Sequence, residues 1–163
     1  MSVLSQTFFH VGIVVARLEE SLEHLTATLG VRFAPTTVVG SPVLAADGSR
    51  TAVPLRFAYS LDAPHLEVIE EVPGSVWVCN PHSNLHHIGY WAEGFAGEHR
   101  RLVGSHCPVE IAGWAGADPD PALYTYHADP LGIRVELVDA ALRPLMEAGW
   151  EAARAAAAEG TVP

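Results

Sequence analysis

Residues 84–91 read NLHHIGYW, and the fold turns on what two adjacent histidines do there. Leu85 to Ala92 is a short apolar run, rich in aromatic and β-branched residues, which reads as a buried strand. Burying an imidazole costs free energy unless its nitrogens find partners. Side chains alternate along a strand. Leu85, His87, Gly89 and Trp91 therefore share one face, and His86, Ile88 and Tyr90 the other. The segment HHIG (86–89) has a near copy in FHVG (9–12), inside the strand-like QTFFHVGIVV (6–15). Phe8, His10, Gly12 and Val14 share a face there, so His10 is the counterpart of His87.

A second pair of segments repeats in the same order. LEVIE (66–70) matches VELVD (135–139), which pairs Glu67 with Glu136. The histidines lie 77 positions apart and the glutamates 69, a difference assigned to a longer loop in the first half, around Ala45 to Arg50. The elements between these anchors repeat too. RLEESLEHLTATLG (17–30) places Leu18, Leu22, Leu25 and Leu29 on one helical face and stops on Gly30. TTVV (36–39) is a short strand before the Gly- and Pro-marked loop GSPVLAADGS (40–49). AVPLRFAYSL and HLEVIEEV are strands joined by a turn at Asp62 to Pro64. In the second half, residues 94–106 form a helix with Leu102 and Val103 inward. CPVEIAGWAG (107–116) is a strand or irregular segment. ALYTYHA and IRVELVDA are strands around the turn DPLG. The expectation is an α+β protein of two tandem βαβββ modules, residues 1–75 and 85–140, joined by a connector at 76–84. A C-terminal helix and tail, 141–163, complete one compact domain; Pro144 stands in the first turns, where proline is tolerated.

Composition narrows the function. With 163 residues and a net charge of −10, the chain lacks the basic stripe that displaces counterions from nucleic acid and suits no anionic membrane surface. No apolar run approaches the roughly 20 residues that span a bilayer, and MSVLSQTFF is not a signal peptide; a cytoplasmic location is expected. Cys79 and Cys107 stand outside any CxxC pattern and read as free thiols. Nine histidines against nine Lys plus Arg direct attention to metals, since imidazole is a common ligand.

Each module offers one histidine from its first strand and one glutamate from its last. If those strands lie side by side, His10, Glu67, His87 and Glu136 converge. A carboxylate in an apolar strand needs a charge partner, and a divalent cation provides one. Two imidazoles and two carboxylates suit Zn²⁺, Ni²⁺, Co²⁺, Mn²⁺ or Fe²⁺. They leave the ion with zero net charge and, at octahedral metals, two open positions.

These motifs, with DPLG before the last strand, resemble the vicinal oxygen chelate superfamily of glyoxalase I, methylmalonyl-CoA epimerase, extradiol dioxygenases and fosfomycin- and bleomycin-resistance proteins. The resemblance covers about residues 6 to 139. It implies paired βαβββ modules curling into a cupped, barrel-like mixed sheet around one divalent metal. The full set His10, Glu67, His87 and Glu136 is similar to the glyoxalase I and epimerase pattern. It implies a metal-dependent isomerase, epimerase or lyase that takes a proton from carbon next to a carbonyl, on a small α-oxygenated or acyl-CoA-type substrate. The resemblance gives Glu136 the part of general base and Glu67 that of second base. An Fe(II) extradiol dioxygenase, which leaves the position of Glu67 empty, and a non-catalytic binding or resistance protein are the alternatives. The epimerases' further glutamate has no match in FAPTTVVGSPVL (33–44).

Around this set, His127, Arg134, Arg56 and Trp91 are expected to contact substrate, and His82 to border the mouth. His86 is expected to pack away from the site and His65 to sit near its rim. Glu70 and Glu71 read as solvated, as do His24, His99 and His106. Loops 40–52, 73–84 and 112–121 are expected to set specificity, and a homodimer is expected.

Overall fold

The computed structural model describes residues 8–114 and 122–159. Eight strands close into one mixed barrel: β1 (Phe8–Val15), β2 (Thr37–Ala45), β3 (Arg50–Tyr59), β4 (His65–Glu70), β5 (Leu85–Ala92), β6 (Val109–Gly113), β7 (Tyr124–Ala128) and β8 (Arg134–Asp139). Three helices accompany them: α1 (Leu18–Leu29), α2 (Phe95–Gly104) and α3 (Arg143–Ala158). The order β-α-β-β-β occurs twice. Around the barrel the strands run β1-β4-β3-β2-β6-β7-β8-β5, and β5 returns to β1. Within each half the first and last strands are parallel neighbours, β1 with β4 and β5 with β8. All other pairs are antiparallel. The first strands of the halves therefore lie side by side, and each carries a last strand on its outer flank.

The helices follow from their apolar spacing. Leu18 is fully buried against Val15 and Val68, with Leu22 and Leu25 packed beside it. Leu29 is 66% exposed, so the stripe ends one turn early. Gly30 takes a left-handed φ of 69° and its N–H closes on the Thr26 carbonyl, the usual glycine stop. Glu70 accepts the Leu18 N–H at 3.2 Å and also pairs with Arg56, and Glu71 accepts the Cys79 N–H at 2.8 Å. Both carboxylates tie segments together, where free solvation was expected. In α2, Leu102 is buried with Ala92, Cys107 and Leu137, while Val103, one helical step round, is exposed.

The largest departure from the expected elements is β2. Residues 40–45, expected in a loop, continue the strand and pair with β3 from Thr37↔Phe57 to Leu44↔Arg50. Pro42 is tolerated because its carbonyl accepts the Trp114 N–H. Its nitrogen, facing the same side, lies beyond the last paired residue of β6, which pairs only with Val43 to Ala45. The turn is confined to the tip, where Asp47 accepts the Ser49 N–H and Gly48 has a φ of 83°. The connector is also more structured than its composition suggests. Trp77 is 1% exposed in the core with Val14, Ile69 and Tyr126. The loop expected at 112–121 is described only through Trp114; residues 115–121 lie outside the described residues.

Helix α3 follows a single 3-10 turn, Ala140–Leu142, capped by the Asp139 carboxylate on the Ala141 N–H. Trp150 is its buried anchor, packed with Phe9, Leu61, Trp91 and Val138. Among the described residues no helix is long and apolar enough to cross a membrane.

Candidate metal centre

Strand register builds the site before any side-chain contact is considered. Across β1 and β5, His10 faces Gly89 and Gly12 faces His87. Across the parallel pairs, Gly12 aligns with Glu67 and Gly89 with Glu136. Each glycine thus sits where one histidine and one glutamate meet, and it supplies the room. A Cβ at Gly12 would overlap the His87 ring, and a Cβ at Gly89 the His10 ring. The HxG spacing seen in the sequence is a ligand followed by the hole for the other half's ligand.

The four side chains converge. The histidine Nε2 atoms are 2.7 Å apart. His10 Nε2 lies 2.9 Å from Glu136 Oε2 and 3.5 Å from Glu67 Oε2. His87 Nε2 lies 3.1 Å from Glu67 Oε2 and 3.3 Å from Glu136 Oε2. All four donor atoms fall within 4.8 Å of one another and all four residues are buried. Donors held at about 2.1 Å from a common ion lie about 3.0 Å apart at right angles and about 3.4 Å apart in a tetrahedron. The observed edges span that range. Oε2 of each glutamate is buried beside the two imidazole nitrogens without an aligned hydrogen-bond donor. Orphaned buried carboxylate oxygens are costly, and a divalent cation would satisfy both at once. The residues fit such an ion.

Without a metal, protons take its place. Burial alone would lower the His10 imidazole, but the Glu136 and Glu67 carboxylates beside it raise it to about 9. His87 is raised in the same way against the same opposing burial. Burial pushes against ionisation of Glu67 and Glu136, yet the two imidazoles hold both carboxyls below their ordinary range.

The first histidine of NLHHIGYW has its own task. His86 is buried, with Nε2 2.8 Å from the Val76 carbonyl and Nδ1 2.9 Å from His87 Nδ1. Burial, with His87 and Arg134 nearby, lowers it to about 4, so it is neutral. Its Nε2–H donates to Val76 and its bare Nδ1 accepts from His87 Nδ1–H. That order fixes the His87 tautomer with the Nε2 lone pair directed at the site. His86 packs, as expected, but against the site's own histidine.

A cavity of about 460 Å³ opens on the glutamates; its walls include Leu55, Phe57, Tyr59, Trp77, Trp114 and Tyr124. Tyr59 faces Glu67 across β3 and β4, and Tyr126 faces Glu136 across β7 and β8, so the tyrosines obey the same two-fold repeat as the ligands. Burial, then the nearby carboxylates, push both phenols well above their usual range. Tyr126 Oη accepts the Trp77 indole N–H at 3.1 Å. Helix α3 contributes Met146, and the turn before it Leu142, to the cavity wall.

The four side chains expected to contact substrate lie elsewhere. Arg56 is held by Glu70 and Glu19. Arg134 forks onto Glu110 through Nε at 2.5 Å and Nη2 at 3.1 Å. His127 is fully buried on the opposite face from Tyr126, donating Nδ1–H to the Cys107 carbonyl at 3.0 Å. Trp91 stacks on Phe9 with ring centroids 3.9 Å apart. None of them borders the cavity. His65 is half-buried, bonded to the Ser60 carbonyl and stacked on Trp150. His82, His24 and His106 are exposed, and His99 packs its ring beside His127.

A sequence profile of the Glyoxalase/Bleomycin resistance protein/Dioxygenase superfamily matches residues 9–124. No curated protein matches the chain. Among solved structures, a methylmalonyl-CoA epimerase in complex with methylmalonyl-CoA and ammonium superposes with a TM-score of 0.57 at 19% identity, covering 83% of this chain and 94% of that one. Methylmalonyl-CoA epimerase from Mycobacterium tuberculosis gives a TM-score of 0.57 at 16% identity, covering 90% and 95%. At these identities the likeness is one of fold.

Proposed function

Because the chain belongs to the glyoxalase/bleomycin resistance protein/dioxygenase superfamily, we propose that it is a metal-dependent isomerase, epimerase or lyase acting beside a carbonyl. His10, Glu67, His87 and Glu136 hold one divalent ion, Zn²⁺, Ni²⁺, Co²⁺, Mn²⁺ or Fe²⁺. When bound, such an ion supplies Lewis acidity that eases loss of a proton from carbon next to a carbonyl. The observation that carries this reading is the convergence of four buried donor atoms within 4.8 Å of one another, with neither glutamate Oε2 given an aligned donor, beside the cavity.

Glu136 takes the proton from the substrate carbon, and its position beside the cavity puts it within reach of one. Glu136, now carrying that proton, returns it to the neighbouring carbon, and Glu67, on the opposite half of the two-fold site, is the second base, for a proton on the other face. Neutral Tyr59 and Tyr126 border both carboxylates and keep water from them. His86 keeps His87 in the tautomer that ligates. The dioxygenase alternative fits less well, because Glu67 occupies a position that such enzymes leave open.

Proton exchange tests the proposal. Metal-loaded protein in D₂O is expected to place deuterium at the hydroxyl-bearing α-carbon of a member of a panel of α-hydroxyketones, read by NMR. Glu136→Gln is expected to slow exchange about 100-fold or more, within the range of a lost general base. Equal exchange by wild type and Glu136→Gln contradicts the assignment.

A further inference from the structure

The structural relatives that carry coenzyme A esters raise the question of which substrates this cavity admits. Among the described residues its walls hold no arginine, and the chain has no lysine at all. Of the nine arginines, 17, 32, 56, 101, 134 and 143 are paired with carboxylates and Arg154 donates to the Leu61 carbonyl, while Arg50 and Arg100 are exposed and border no part of the cavity. With a net charge of −10, the long-range field repels anions. A phosphate brought to the cavity wall would find no guanidinium fork or ammonium there to replace its water.

The walls state a positive preference too. Phe57, Tyr59, Trp77, Trp114, Tyr124 and Tyr126 set six aromatic rings into an otherwise mainly aliphatic wall, which suits a ring stacked or edge-on. Away from the tetrad, Ser41 Oγ and Tyr124 Oη lie 2.9 Å apart in the same wall. Both are neutral hydroxyls, able to receive an uncharged oxygen. Leu142 and Met146 continue the apolar surface on the side of α3. A volume of about 460 Å³ is in the range of pockets for compact, ring-bearing ligands.

We propose that the cavity takes an uncharged aromatic molecule with two neighbouring oxygens, and that coenzyme A thioesters and other phosphorylated conjugates are excluded. This deepens the metal-centred reading and rests on it for the two oxygens alone; the aromatic, cation-free walls are independent of the metal.

The test uses the whole chain loaded with Co²⁺. It is titrated with benzohydroxamate, acetohydroxamate and methylmalonyl-CoA, followed by the visible Co²⁺ bands and by tryptophan fluorescence. Benzohydroxamate is expected to bind at least tenfold more tightly than acetohydroxamate, which has the same chelating group without a ring. Methylmalonyl-CoA is expected to leave both signals unchanged and not to compete at 100-fold excess. Trp114→Ala is expected to reduce the benzohydroxamate preference while acetohydroxamate binds as before. Tight binding of the thioester, or no gain from the ring, overturns the proposal. Failure of Co²⁺ to bind removes the metal reading alone. In that case metal-free protein titrated with benzoin against methylmalonyl-CoA, by fluorescence, still decides: benzoin bound and the thioester ignored supports the cavity assignment, and the reverse overturns it.

Discussion

Replacing Gly89 by alanine should disable a ligand on the other half of the barrel. An alanine Cβ there would lie 2.6 Å from His10 Nε2 and 2.5 Å from Nδ1, where ordinary contacts begin at 3.4 Å. The ring must retreat by about 0.8 Å at its liganding nitrogen, against a tolerance of about 0.2 Å for a metal ligand. It has nowhere to go, since His10 is fully buried with Phe9 edge-on to it at 4.2 Å. Overpacking of this kind costs about 1–3 kcal/mol in stability. Metal affinity should fall by at least the ~10–100-fold that loss of an outer partner causes. Competition against a chromogenic chelator measures the affinity, and thermal unfolding in EDTA measures the metal-independent part. Gly97→Ala in α2, where a Cβ meets nothing within 4 Å, is the control and should leave metal binding unchanged. Wild-type affinity in Gly89→Ala would refute the reasoning that this glycine is the hole for His10.

Other consequences are as direct. His10 is raised to about 9 without metal and His87 is raised too, so binding an ion must expel protons. Affinity should climb with pH up to about 9, and titration calorimetry in buffers of different ionisation enthalpy should count released protons. The sign reverses for EDTA-treated protein: a raised imidazole stabilises the fold fully below its ordinary 6.5 and loses that contribution as pH rises through about 9, so its Tm should fall across that window. Trp77→Phe keeps most of the buried surface but removes the donor to Tyr126; a loss of about 1 kcal/mol is expected by denaturant unfolding, with Trp77→Ala near 3–5 kcal/mol. Arg134→Ala breaks a partly exposed fork with Glu110 and should cost about 1 kcal/mol or less without changing ligand affinity, which a binding titration on the loaded protein would check.

The tetrad was legible in the sequence because it occurs twice. A histidine and a glutamate recur in order in apolar strands where neither is expected, and period-two alternation puts each on a defined side. The closed sheet was legible through the same repeat. Tyr59 and Tyr126 obey that two-fold relation as well, but an aromatic residue in a strand reads as ordinary core. Alternation gives a side and not a depth. Arg134 shares the face of Glu136, yet it stands at the first residue of β8, where its long side chain turns to Glu110. Trp91 shares the face of His87, yet four residues on it meets Phe9, which register shift in β1 brings into the aromatic layer under α3. Gly40 and Pro42 hid the second half of β2, because breaker residues read as loop when the open flank that tolerates them is unseen. The cavity wall from α3 depends on how the helix docks, which its alanine-rich sequence does not specify.

The central claim is that the four side chains bind one divalent ion, and metal content tests it most directly. Wild-type protein loaded with Zn²⁺ or Co²⁺, dialysed and assayed by elemental analysis should retain about one equivalent per chain, and His87→Ala should retain almost none while remaining folded by circular dichroism. Wild-type protein that retains no metal, or a folded His87→Ala variant that retains as much, would contradict the account.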